Sequence, residues 1–135
     1  MLLEIKNDLI ANNFPELKRK IIFIQYRSGK KHNYYYMRVR WFLGVYIIQA
    51  NKEILTFSKA AIKACMAHEL AHIVIGTHLV KSKTEIERDA DTLVLKRGLG
   101  KELLQFHNDH NKTYKSYKAD DGLTKREIKL FLKGR

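Results

Sequence analysis

Residues 60–75 read AAIKACMAHELAHIVI, an apolar run of helical length without Gly or Pro, and the placement of this segment decides the architecture. A helix that is apolar on nearly all sides belongs at the centre of a domain rather than on its surface. Ser58, or Thr56 just before it, is the expected N-cap, and Gly76 is the expected stop. His68 and His72 stand at i and i+4, so their imidazoles share one helix face and can converge on a small cation. Glu69 points about 100° further around the axis, where its carboxylate reaches a water on the cation rather than the cation itself. Such groups in an apolar helix are costly unless paired or bound to a metal, so the segment asks for a ligand. The alternative is a core helix whose histidines are only hydrogen-bonded.

A catalytic zinc takes three protein groups and keeps one position for water, so a third ligand must come from outside this helix. Glu87, in Glu87-Arg88-Asp89-Ala90-Asp91, opens an apolar-periodic stretch through Ala90, Leu93, Val94 and Leu95 to Gly98. Glu87 and Asp91 are again i and i+4: one can ligate while the other accepts a hydrogen bond from the free nitrogen of a ligating imidazole. His78, six residues after His72, competes for the role, at the interval used by another class of zinc proteases. Those enzymes place a glycine three residues after the second histidine; that position is Ile75 here, with Gly76 one place late. Without a metal, Glu87 and Asp91 read as the acidic first turn of a helix, favoured there by the macrodipole.

HELAH followed by ERDAD resembles the His-Glu-x-x-His and Glu-x-x-Ala-Asp pair of the gluzincin metallopeptidases, and the short chain is similar to their smallest members, the minigluzincins. The likeness spans Ile62 to Gly98, roughly a quarter of the chain. It implies that His68, His72 and Glu87 ligate Zn2+, that Glu69 is the general base, and that Asp91 supports a ligating histidine. Phage and bacterial repressor-cleaving or regulatory peptidases share a similar layout. Fourteen residues separate His72 from Glu87, which leaves little room for insertions that shape a substrate site. The resemblance implies a zinc metalloendopeptidase acting on a peptide or protein substrate. It also implies latency, with residues 108–135 as a regulatory tail acting through self-association or tail-mediated inhibition. Asp109, Asp120 and Asp121 are the tail carboxylates able to approach the metal, and an ordinary packed terminal helix is the alternative.

At 135 residues and 45% hydrophobic content, one α+β domain over residues 1–135 is expected. Helical periodicity marks Leu2 to Phe14, closed by Pro15. Three to four strands should follow: Lys20 to Arg27, Tyr34 to Trp41, Val45 to Gln49, and Ile54 to Phe57. The motif helix, the glutamate helix and a short helix at Lys101 to His110 come next. Asn108 to Gly122 reads as a polar linker, and Thr124-x-x-Glu127 caps a last helix to Leu132. Val45–Gln49 or Ile54–Phe57 is expected to be the edge strand that aligns an extended peptide by strand addition. Lys63, His68, Glu69 and His72 interrupt the one long apolar run, so no transmembrane segment and no membrane partner are expected. The first ten residues alternate charged and apolar side chains, unlike a signal peptide. The single cysteine, Cys65, excludes an internal disulfide and reads as a packed core thiol. Together these point to a cytoplasmic protein.

Twenty-six basic against fourteen acidic residues give a net charge of +12. Basic residues interleave with aromatics at Tyr26-Arg27, at Lys30 to Tyr36 and at Tyr114 to Lys118, stretches that can follow phosphates and stack bases. The alternative function is therefore a basic nucleic-acid-binding module whose HELAH holds a structural metal, although the same charge also attracts acidic peptides. His107 and His110 read as surface residues at an exposed helix end. Tyr114, Tyr117, His107, His110 and the Tyr34–Tyr36 cluster are the groups available to stabilise an oxyanion, and the sequence does not choose among them.

Overall fold

The computed structural model describes residues 1–27, 35–76, 81–113 and 122–134. Its element order is α1 (Leu2–Asn12), β1 (Ile22–Arg27), β2 (Met37–Phe42), β3 (Val45–Asn51), α2 (Lys59–Ile75), α3 (Lys83–Lys96), α4 (Gly100–Thr113) and α5 (Lys125–Lys133), an α+β architecture. Helix α2 is the apolar run of the sequence and lies at the centre, packed against α1, α3, α4 and β2. Ten of its 17 residues are buried. Alanines at 60, 61, 64, 67 and 71 keep the helix thin, so that four elements can approach it. Ser58 caps its start by accepting the Ala61 N–H at 3.3 Å, and Gly76, at φ +82°, ends it with its N–H on the His72 carbonyl.

The sheet has the order β1-β3-β2, with β3 parallel to β1 and antiparallel to β2. Ile22, Met37, Ile48 and Ala50 turn inward to the common core. Two strand expectations need correction. Val45–Gln49 belongs to β3, which is paired on both sides and is the central strand, so it cannot accept an added strand. Ile54–Phe57 is not a strand: Lys52–Thr56 forms a 3-10 turn. The Asn51 side chain accepts the Glu53 N–H at 3.0 Å and Ile54 is fully buried, so the turn folds the chain back from β3 toward α2 while filling the core.

β1 and β2 are the two edge strands, and β2 is the one that packs against α2. It joins β3 through the two-residue turn Leu43-Gly44, with φ of +47° and +84°, the doubly positive geometry of a type I′ hairpin. Phe42 and Val45 are therefore a hydrogen-bonded pair, and alternation along the ladder turns the backbone N–H and C=O of Met37, Val39 and Trp41 away from β3.

The expected linker beginning at Asn108 also needs correction, because α4 continues to Thr113; the rest of that stretch, residues 114–121, lies outside the described residues. Helix α5 carries the expected capping box, in which Thr124 and Glu127 bond each other's backbone N–H. It packs on α4 with Ile128 fully buried. Among the described residues no helix is long and apolar enough to cross a membrane.

Candidate metal centre

Helix α3 starts earlier than its apolar periodicity suggests. Ser82 and Glu85 form a capping box, a Ser-x-x-Glu signal legible in the sequence, and this sets the helix start at Lys83. Glu87 thus sits in the second turn, beyond the solvated first turn, and Asp91 follows one turn later among the buried residues Ala90, Val94 and Leu95. The packing of α3 on α2 brings both carboxylates to the histidines.

His68, His72 and Glu87 form a group that can hold a metal ion, with ligand atoms all within 4.8 Å of one another. His68 Nε2 lies 3.1 Å from His72 Nε2 and 2.7 Å from Glu87 Oε2, and His72 Nε2 lies 3.3 Å from Glu87 Oε1. His68 donates its Nδ1–H to Asp91 Oδ1 at 2.6 Å, so its Nε2 faces two other electron-rich atoms. That arrangement needs a positive charge, either a proton on His68 or a metal ion. Burial pulls the His68 pKa down, but the charge of Asp91 and the hydrogen bonds to Asp91 and Glu87 outweigh it and hold the imidazole well above its ordinary value. Burial likewise works against the Glu87 carboxylate, yet the two imidazoles hold its pKa well below the usual range. Ligands of a tetrahedral zinc, at 2.0–2.1 Å from the ion, stand about 3.3 Å apart. Widening the shortest side of the observed triangle by roughly half an ångström would admit it. Two imidazoles and one carboxylate are also a donor set suited to zinc.

Glu69 is buried beside the ligands and outside the triangle. Desolvation raises its pKa, partly offset by His68 and His72 and by a hydrogen bond from the Val39 N–H. The open edge of β2 is thereby docked against the motif helix. These groups line a cleft of about 540 Å³ that also includes Met37, Arg38, Cys65 and His107. Cys65 is a buried thiol whose pKa is pushed well up by burial and then by the Glu69, Asp91 and Glu87 charges, as expected of a packed core cysteine.

His107 and His110 are not surface residues: both are buried on the inner face of α4. His107 lines the cleft, and the Tyr36 hydroxyl shares a hydrogen bond with His110 Nδ1. Tyr36 also packs against Phe57 and Phe106, with ring centroids 5.0 and 5.5 Å away. This cluster ties the start of β2 to α4. The polar neighbours Asn108 and Asp109 had suggested exposure, but in a helix they turn to another face. Asp109 is not a carboxylate that approaches the metal. Its Oδ2 accepts the Ser58 N–H at 2.8 Å, ten residues and therefore roughly 15 Å of helix before His68.

Asp91 has a second partner that sequence reasoning missed. Its Oδ2 accepts the Leu123 N–H at 2.9 Å, just before α5, and a Cβ on the neighbouring Gly122 would stand 2.2 Å from that oxygen. No local signal announces a contact across 32 residues; the one cue was a glycine where a polar stretch meets a capped helix. His78, Tyr34, Tyr114, Tyr117, Asp120, Asp121 and most of the two long Lys/Tyr stretches lie outside the described residues. In comparisons with known proteins, no family model, no curated protein and no solved structure matched the chain.

Proposed function

We propose that this protein is a zinc-dependent metallopeptidase of the gluzincin type. What carries the reading is the convergence of His68, His72 and Glu87 with Glu69 buried beside them, in a cleft with the open edge of β2 as one wall. When bound, zinc supplies Lewis-acid chemistry, acidifying water and polarising a peptide carbonyl. Asp91 fixes the tautomer of His68 by taking its Nδ1–H, which leaves the Nε2 lone pair for the metal. Glu69 takes the proton of the attacking water on its carboxylate and passes it to the leaving amine. The outward backbone groups of Met37 and Trp41 and the outward carbonyl of Val39, whose N–H is held by Glu69, offer an extended peptide a strand to pair with, in place of Val45–Gln49 and Ile54–Phe57.

The test is Glu69→Gln, which keeps size and hydrogen bonding while removing the base. Zinc content and fold should match the wild type, and hydrolysis of an unstructured protein should fall by roughly 10²- to 10⁴-fold. Equal rates in the two proteins would assign the cleavage to another site, and loss of zinc in the variant would remove Glu69 from its role as base.

A further inference from the structure

One end of the sheet is built unlike the rest of the molecule. The type I′ turn between β2 and β3 places Leu43 at its first central position, at φ +47°, where Asn, Asp or Gly avoids the steric cost that a leucine meets. Leu43 is also 79% exposed, so no core contact compensates for that cost. Trp41 and Phe42 precede it, and both are more than half exposed. Because β1 runs parallel to β3, its first residues lie at the same end as the hairpin: the Ile21 carbonyl accepts the Tyr46 N–H, and Phe23 is in register with Ile47 and Arg40. Ile21 and Phe23 are again more than half exposed. Five large apolar side chains therefore crown one end of a three-stranded sheet.

The segment that builds the crown is basic: none of the 14 acidic residues falls between Leu17 and Lys52, and four basic side chains, Lys18, Arg19, Lys20 and Arg40, lie at this end of the sheet. Lys18, Arg19 and Lys20, all exposed, lead directly into Ile21, and exposed Arg40 stands beside Ile47 on the outer face, across the central strand from Phe23. An occupant must accept aliphatic and aromatic side chains at the centre and offer negative charge at the rim. A second copy of this chain would set basic collar against basic collar. A nucleic acid answers the charge and can stack on Phe23 and Phe42, but it gives Leu43 and Ile21 nothing. An anionic bilayer meets both requirements, with Trp suited to the boundary between headgroups and acyl chains.

We infer that this end of the sheet docks on an anionic lipid surface, with Trp41, Phe42 and Leu43 entering the headgroup–acyl boundary while Lys18, Arg19, Lys20 and Arg40 lie against lipid phosphates. The attachment is peripheral and needs no spanning helix. It explains the leucine at a position that disfavours it, since a side chain at the tip of a turn projects furthest from the domain. The expectation of no membrane partner came from the lack of a spanning segment, which does not bear on a surface of this kind.

Trp41 is the chain's one tryptophan, so its fluorescence reports on the tip alone. The full chain is titrated with vesicles of phosphatidylcholine, and with vesicles of phosphatidylcholine and phosphatidylserine. The mixed vesicles should shift Trp41 emission to the blue, shield it from an aqueous quencher and co-sediment with the protein, and added salt should weaken all three effects. Leu43→Asn removes the apolar tip while easing the turn, so it should fold at least as well as the wild type yet bind at least roughly tenfold more weakly. Replacing Lys18, Arg19 and Lys20 by Ser should lower affinity by roughly fivefold for each charge. No blue shift with mixed vesicles, or an equal shift with neutral ones, would overturn the inference. So would tighter, salt-sensitive binding of a single-stranded oligonucleotide than of vesicles, or self-association that hides Trp41 without lipid.

Discussion

Gly122→Ala tests whether the metal centre depends on the segment before α5. A Cβ at this position would stand 2.2 Å from Asp91 Oδ2 and 3.0 Å from its Cγ, while an ordinary carbon–oxygen contact needs more than 3 Å. Something must therefore move by about 1 Å, and whichever group yields, the Asp91 bridge suffers. If the carboxylate turns away, it loses His68 Nδ1 at 2.6 Å; if the chain at 122–123 lifts, Asp91 loses the Leu123 N–H at 2.9 Å. Removing such outer partners of a metal ligand typically costs 10- to 100-fold in affinity, or about 1.4–2.8 kcal/mol. Zinc affinity measured by chelator competition should fall by this factor in Gly122→Ala and in Asp91→Ala. The double variant should be no worse than Asp91→Ala, because both act through one carboxylate. Thermal unfolding of the metal-free proteins separates this from a loss of fold. Native zinc affinity in Gly122→Ala, or full additivity in the double variant, would refute the argument.

The hairpin makes a prediction of opposite sign: Leu43→Asn relieves a non-glycine residue at φ +47° and should stabilise by about 1 kcal/mol, seen as a Tm higher by roughly 3–5 °C. Asp109→Ala removes the acceptor of the Ser58 N–H at the start of α2 and should destabilise by about 1 kcal/mol in urea unfolding, without a change in zinc affinity. Arg88 binds both oxygens of Glu127 and holds its carboxyl at about 2, below its ordinary 4.5. A depressed carboxyl stabilises the fold above its unfolded pKa and stops doing so as pH falls through the folded one. The Tm difference between wild type and Arg88→Ala should therefore be present at neutral pH, shrink below about 4.5 and vanish near pH 2; a difference that persists at pH 2 would assign it to packing.

What the sequence determined alone is whatever rests on short-range periodicity and local hydrogen bonding. The apolar run at 60–75 specified a central helix, because an all-round apolar helix has no other stable place. The i, i+4 spacings of His68 with His72 and of Glu87 with Asp91 specified two pairs on two helix faces, a consequence of 3.6 residues per turn. Ser58, Gly76, Thr124 and Glu127 marked helix ends because caps act over three residues. Tertiary structure decided which pairs meet. Ile54–Phe57 has the composition of a strand, but the chain had to reverse there, and a 3-10 turn buried Ile54 while satisfying the Asn51 cap. Which strands lie at the edges followed from β3 pairing on both sides, a choice made across the sheet and invisible within any one strand. The burial of His107 and His110, the Val39 N–H on Glu69 and the Leu123 N–H on Asp91 all join residues far apart in sequence. Such contacts form only once the helices have packed, so no window of sequence carries them.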